Sequence, residues 1–234
     1  MVREIVRTTG AGRRLPQRGT AELVARRSVV DTALAMSRRG LSPGRSGNVS
    51  VRFEDGILIT PSGLAYDLTT PADIVRVRID GHVPVGQLAP SSELLFHLAV
   101  YRSRPDAGAI VHCHSMHATV LACARRAIPA FHYMVASAGG DDIPLVPYAT
   151  FGSEELAQNV AEGLRHRNAC LMANHGQTAV GANGPAALAL AEEVEILAEQ
   201  YLKVLMLGTP HVLAQDEMAR VVERFASYGR NGKA

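Results

Sequence analysis

Apolar and polar positions alternate along this chain with two different periods, and the switches between them divide it into elements. From Ala21, the residues Leu23, Val24, Val30, Ala33 and Leu34 fall near one helical face, and Gly40 supplies a stop. The period then drops to two. Val49, Val51 and Phe53 alternate ahead of Asp55-Gly56 and the run Ile57-Leu58-Ile59. Val75, Val77 and Ile79 alternate ahead of Asp80-Gly81, with Val83 and Val85 beyond. An Asp-Gly between alternating runs predicts a hairpin, so two hairpins are expected here. Ser91-Ser92-Glu93 opens a helix through Leu94–Tyr101 that stops before Pro105, with the serines as caps and Glu93 in its first turn.

Ala109–Cys113 reads as a buried strand. Ser153 starts a helix that carries Glu154 and Glu155 in its first turn and Leu156, Val160 and Leu164 inside. A strand over Ala169–Ala173 turns at Asn174-His175-Gly176 into another over Gln177–Val180. Helices follow over Pro185–Leu207 and about Asp216–Ser227. Hairpins first and interspersed helices later predict a single α/β domain, a mixed, mostly antiparallel central sheet with helices on both faces. The linker-like segments, Ala138–Ile143 and Gly208–His211, are too short to separate domains. Residues 1–20 read as a flexible basic arm, with Arg3, Arg7, Arg13, Arg14 and Arg18 among Gly and Pro; a transit peptide is the alternative, which Glu4 disfavours. The domain is placed over residues 21–229 and a short tail over 230–234.

Composition narrows the function classes. The chain is 47% hydrophobic and 20% charged, with 5% aromatics and no Trp, so the core is aliphatic. A net charge of +2 makes no electrostatic case for nucleic acid, and no run of 18 apolar residues predicts a membrane span. The polar N-terminus lacks the apolar core of a secretion signal. Cys113, Cys123 and Cys170 form neither an even disulfide framework nor a CxxC zinc site, which fits a reducing cytoplasm.

The sharpest local feature is Ile110-Val111-His112-Cys113-His114. On a strand, His112 and His114 project from one face and Cys113 from the other, so two imidazoles can converge on one ion. A catalytic zinc site typically takes three protein ligands and keeps a position open. His175, in a tight turn beside Gly176, is the leading third ligand. His97, His117 and His132 are rivals in helical or near-helical settings that suit packing or support of the ligands. Periodicity alone does not choose among them.

A longer series of segments does. Ser46-Gly47-Asn48-Val49-Ser50-Val51, Ile59-Thr60-Pro61-Ser62-Gly63, Pro90-Ser91-Ser92-Glu93, His112-Cys113-His114, Ile128-Pro129-Ala130-Phe131-His132-Tyr133, Pro147-Tyr148-Ala149-Thr150-Phe151-Gly152, Asn174-His175-Gly176 and Tyr228-Gly229 occur in order over about residues 21–229. In this the chain resembles the class II aldolase and ribulose-phosphate 4-epimerase family. The resemblance implies one zinc ion per subunit, or another divalent metal, on His112, His114 and His175, with Glu93 close enough to be a ligand. It implies a phosphate pocket built by Gly47, Asn48, Ser62, Gly63, Ser91 and Ser92. Position 62 is commonly Thr in such aldolases, and Ser keeps the hydroxyl. Gly-containing turns, hydroxyls and a helix N-terminus are physically suited to a phosphate.

The reaction implied is reversible aldol cleavage of L-fuculose 1-phosphate, or a related 1-phosphoketose, to dihydroxyacetone phosphate and L-lactaldehyde. Glu93 would transfer the proton at C3, Tyr133 and Tyr228 would serve the C4 oxygen, and Phe151 would shape the aldehyde side. The only lysines, Lys203 and Lys233, sit late in the chain and do not read as a buried Schiff-base nucleophile. The alternatives on the same scaffold are an aldolase for 5-deoxyribulose 1-phosphate or methylthioribulose 1-phosphate and a ribulose-phosphate 4-epimerase; a methylthioribulose-phosphate dehydratase is more distant. A non-catalytic binding module like the adducin head, which has lost the metal set, is disfavoured by the retained histidines and Glu93. The family further implies a fourfold cyclic homotetramer with active sites between subunits.

Overall fold

The computed structural model describes residues 19–227. Most of the expected basic arm, the tail over 230–234 and Tyr228 therefore lie outside the described residues. The chain runs α1 (Thr20–Arg38), β1 (Asn48–Phe53), β2 (Gly56–Ile59), β3 (Val75–Arg78), α2 (Leu94–Ser103), β4 (Ala109–Cys113) and α3 (Met116–Cys123). It continues through β5 (Ile128–Pro129), β6 (Asp142–Ile143), β7 (Leu145–Val146), α4 (Glu154–Gly163), β8 (Ala169–Met172), β9 (Gly176–Gly181), α5 (Gly184–Leu207) and α6 (Gln215–Ser227). Short 3-10 turns cover Tyr66–Leu68 and Tyr133–Ala138.

Seven strands form one sheet in the order β3-β2-β1-β4-β9-β8-β7, and β5 and β6 pair separately. Within the large sheet every neighbouring pair is antiparallel except β7 with β8. Alternation along the strands assigns each face its own core. Val49, Val51, Val111 and Cys113 pack with α1, α3 and α5, whereas Ile57, Ile59, Val75, Val77 and Ile110 pack with α2 and α4. The expected mixed, mostly antiparallel sheet with helices on both faces is therefore observed. Among the described residues, no helix is long and apolar enough to cross a membrane.

Three local expectations are corrected. The first hairpin forms, but its turn is Glu54-Asp55, and Gly56 is the first residue of β2, opposite Phe53. Gly56 serves close approach instead, because a Cβ there would lie 2.1 Å from the Val77 carbonyl oxygen on β3. The second hairpin does not form. β3 ends at Arg78, whose N–H donates to the His82 carbonyl at 3.0 Å, and Val85 is fully exposed. Pro84 has no N–H for a ladder, so the apolar alternation at Val83 and Val85 has nothing to pair with. The third correction is at α2, which starts at Leu94 with Glu93 as its N-cap residue rather than a first-turn acid. The sequence reading also lacked the two-residue strands β5, β6 and β7, with β6 falling in the stretch read as a linker, and α3, a two-turn helix with Ala118, Leu121 and Ala122 buried.

Candidate metal centre and substrate cavity

β4 is the central strand, flanked by β1 and β9 and buried along its whole length. Its alternation turns Ile110 and His112 towards α2, where the Phe96 ring meets His112 edge-on at 5.4 Å. Cys113 points to the opposite core, where burial pushes its thiol up to about 12. His114 follows immediately after the strand, on the same side as His112. His175 arrives from the β8–β9 turn, in which Asn174 takes a left-handed conformation at φ 54° and the His175 N–H donates to the Met172 carbonyl at 3.0 Å. Gly176 leaves room for this convergence. A Cβ there would lie 2.5 Å from the Cys113 carbonyl oxygen and 2.8 Å from Cδ2 of the His114 ring.

The three imidazoles form a near-equilateral cluster, with ring centroids 4.8–4.9 Å apart and planes inclined at 73–76°. Glu93 completes it from the α2 cap. His112 Nε2 lies 3.0 Å from His114 Nε2 and 3.1 Å from Glu93 Oε2, and His175 Nε2 lies 3.1 Å from Glu93 Oε1. His112 Nδ1 donates to the Gln177 carbonyl at 2.8 Å, which leaves the Nε2 lone pair facing the cluster. Two neighbouring imidazole nitrogens and a carboxylate at this spacing match the edge of a tetrahedron of ligands around one ion, about 3.3 Å for bonds near 2.0–2.1 Å.

The electrostatics fit a cation as well. Burial pushes the His114 imidazole down to about 3, reinforced by His112 and His175, so the ring is neutral and its lone pair available. For Glu93, burial raises the carboxyl, but His112 and His175 outweigh it and hold the group well below the usual carboxylate range. Its buried Oε1 accepts no hydrogen bond. A buried, ionised carboxylate oxygen left in that state beside three neutral-capable imidazoles is what a divalent cation would satisfy. The four residues together form a group that can hold a metal ion, with ligand atoms within 4.8 Å of one another.

The cluster opens into a cavity of about 270 Å³ lined by Ser46, Ser92, Glu93, His114, Tyr148, Ala149, Phe151, Asn174 and His175. Beside it, three backbone segments are laced together: Thr60 N–H to Val49 O at 3.0 Å, Ser62 N–H to Ala89 O at 2.9 Å, and Ser91 N–H to Thr60 O at 3.0 Å. These bonds gather Gly47, Asn48, Ser62, Gly63, Ser91 and Ser92 into one neighbourhood. Ser62, Gly63 and Ser92 are exposed, whereas Gly47, Asn48 and Ser91 are buried. Ser91 Oγ accepts from the Glu93 N–H at 3.3 Å. The Asn48 side chain is turned inward, donating through Nδ2 to Glu93 Oε2 at 2.9 Å and meeting His97 Nε2 with Oδ1 at 2.6 Å.

Sequence reasoning did not single out Ser46, Tyr148, Ala149 and Asn174 as cavity residues, nor Arg45, whose guanidinium donates to the Gly63 carbonyl at 2.8 Å. Ser46 and Asn174 adjoin residues that were singled out, and Arg45, Tyr148 and Ala149 lie two or three positions from one, all on irregular backbone where no period tells which side chains face inward.

Phe151 lines the metal cavity and is mostly exposed, but Tyr133 does not line it. Tyr133 sits in a separate cavity of about 690 Å³ against α6, with the Phe225 ring 6.5 Å away and Glu217, Arg220 and Arg224 around it. His117 pairs with Glu195 of α5 at 2.8 Å, and His132 caps the turn over Tyr133–Ala138, so neither joins the metal cluster.

Residues 27–202 match the family model for the class II aldolase and adducin N-terminal domain. The L-fuculose phosphate aldolase of Escherichia coli strain K12 is 50% identical over 204 residues, covering 87% of this chain and 94% of the relative. The 5-methylthioribulose-1-phosphate/5-deoxyribulose-1-phosphate aldolase of Rhodospirillum rubrum is 47% identical over 213 residues, covering 91% and 96%. A solved L-fuculose 1-phosphate aldolase superposes with a TM-score of 0.84 at 39% identity, covering 87% of this chain and 96% of that one.

Proposed function

The chain belongs to the class II aldolase and adducin N-terminal domain family, and from that premise we propose that it is a zinc-dependent aldolase that cleaves L-fuculose 1-phosphate reversibly to dihydroxyacetone phosphate and L-lactaldehyde. The observation that carries the reading is the convergence of Glu93, His112, His114 and His175 on one point at the floor of an open cavity. These four residues would hold the ion. When bound, a divalent cation supplies Lewis-acid stabilisation of the negative charge released as the C3–C4 bond breaks.

The rest of the reaction falls to side chains. Ser62, Gly63, Ser91, Ser92, Gly47 and Asn48 bind the C1 phosphate beside the cluster, which fixes the ketose with C3 towards Glu93. Glu93 moves the proton at C3: it protonates that carbon after cleavage and removes the proton in the synthetic direction. Its Oε1, which accepts no hydrogen bond beside His175, takes this role, so the carboxylate alternates between holding the ion in the empty site and serving as base with substrate in place. Tyr133 and Tyr228 exchange the proton on the C4 oxygen, and Phe151 shapes the aldehyde end. No lysine route is needed: Lys203 lies exposed on α5, paired with Glu199 at 2.5 Å.

Tyr133 lines a different cavity from the metal cluster, so in this reading the tyrosine is supplied by a neighbouring subunit. This supports a cyclic tetramer with sites between subunits. The phosphorylated substrate and the free Cys113, Cys123 and Cys170 support a cytoplasmic location.

A second reading has a specific observation behind it, the 47% identity to the Rhodospirillum rubrum aldolase. Its substrates, by name, carry the same 1-phosphate and differ at the far end, where Tyr148 and Phe151 line the cavity. Steady-state release of dihydroxyacetone phosphate from the three sugars separates the readings. We expect kcat/KM to be at least about tenfold higher for L-fuculose 1-phosphate, the discrimination that one well-fitted apolar group provides. Turnover of only the 5-deoxy or methylthio sugar assigns the second reading. Inversion at C4 of a ribulose phosphate without release of a triose would make the protein an epimerase instead.

A further inference from the structure

Behind Glu93 a line of buried polar side chains runs into the core. Tyr101 and His97 project from α2, Ser50 and Asn48 from β1, and all four are at most 4% exposed. The links are Tyr101 Oη to Ser50 Oγ at 3.0 Å, Ser50 Oγ to His97 Nδ1 at 2.7 Å, His97 Nε2 to Asn48 Oδ1 at 2.6 Å and Asn48 Nδ2 to Glu93 Oε2 at 2.9 Å.

The chemistry of the ends dictates the direction of every proton. An ionised carboxylate only accepts, so Asn48 must present its NH2 to Glu93 and its carbonyl oxygen to His97. His97 must then donate from Nε2, which makes Nδ1 an acceptor, and the single Ser50 proton goes to Nδ1. The Ser50 oxygen in turn accepts from Tyr101. Burial pushes His97 down to about 3, so it carries one ring proton, and burial raises Tyr101 well above its ordinary range, so it keeps its proton. All four hydrogen bonds therefore point the same way, towards the carboxylate, and polarise one another.

We propose that His97 is a positioning residue for Glu93: by fixing the flip of the Asn48 amide it pins Glu93 Oε2 and leaves Oε1 as the free basic oxygen. Without a donor at His97 the Asn48 carbonyl is orphaned, and a flipped amide would aim its oxygen at the carboxylate. The inference rests on Glu93 being the proton-transfer group, and the test keeps the two apart.

The variants are His97→Phe, which keeps the ring's volume and its stacking on Phe96, and His97→Gln, which restores a donor towards Asn48 and an acceptor towards Ser50. For His97→Phe in the metal-loaded enzyme we expect kcat to fall about 10- to 100-fold, the usual cost of losing a partner behind a site residue. Metal content should be unchanged, because His112, His114 and His175 are untouched, and the fall in kcat should exceed any change in KM transmitted through Asn48. His97→Gln should recover most of the loss. Nitrogen-15 spectra of the wild-type protein, with and without metal, should show His97 as the Nε2–H tautomer. An Nδ1–H tautomer overturns the proposal even if His97→Phe fails to fold. So does a folded His97→Phe with wild-type kcat, or a folded His97→Gln as impaired as His97→Phe. If Glu93→Gln abolishes turnover while His97→Phe does not, the positioning role alone fails; if Glu93→Gln retains the wild-type rate, the reading beneath it fails.

Discussion

Glu93 concentrates most of what the single residues of this protein contribute. It occupies the N-cap position of α2, receives the Asn48 amide and lies 3.1 Å from His112 and His175. Glu93→Gln keeps the shape and removes the base, so the protein should fold while kcat falls about 10²- to 10⁴-fold, measured as triose phosphate release. His114→Ala should lose bound metal and activity together, read by metal analysis of the purified variant; full activity would refute its place in the site. His97 gives a pH signature. Its folded value of about 3 lies below the ordinary 6.5, so the unfolded chain takes up its proton first as the pH drops. Stability from this group is complete above pH 6.5 and is lost as pH falls towards 3, with a slope of up to about 1.4 kcal/mol per pH unit. Urea unfolding of His97→Gln should show a shallower acid slope than the wild type. At this scale the sequence was readable where a period applies: strand alternation alone put His112 and His114 on one face. It did not find the role of His97, because an i to i+4 helical spacing from Glu93 reads the same for a core histidine as for one that orients a neighbour.

Among the elements, the β8–β9 turn and the α2 cap decide whether the cluster can form. Gly176→Ala would drive a methyl group against the Cys113 carbonyl and the His114 ring. The expected result is a loss of about 1–3 kcal/mol in stability and at least about tenfold weaker metal binding, measured by denaturation and by chelator competition. Unchanged metal affinity would show that the turn tolerates the shift. Long periodic elements such as α1, α4 and α5 were legible because their buried faces repeat over several turns. Other features were not legible, the two-residue strands β5, β6 and β7 among them. Apolar residues at Val83 and Val85 mimic a strand although no neighbouring strand pairs with them, Val83 packing on the core and Val85 lying exposed, and α3 is too short, with Met116 and Val120 left outward, for its period to stand out. The position of Gly56 shows the same limit: Asp-Gly marks a hairpin, but a close approach by β3 demanded the glycine, one residue past the turn.

At the scale of the whole molecule, one described chain holds the metal cluster in one cavity and Tyr133 in another. The fold class followed from the order of hairpins and helices, but the separation of the two cavities depends on where α6 packs, which no local pattern encodes. If subunits complete each other's sites, mixing inactive His114→Ala and Tyr133→Phe chains under exchanging conditions should restore activity through hybrid sites. No recovery, with exchange verified by mass, would place both groups in one subunit's site. The central claim, that the cluster of Glu93, His112, His114 and His175 is a catalytic metal centre, is tested most directly by titrating zinc into metal-stripped protein while measuring both bound metal and dihydroxyacetone phosphate released from L-fuculose 1-phosphate. The account predicts negligible release from the stripped protein and a linear rise that ends at one zinc per subunit; full turnover with no metal bound would contradict it.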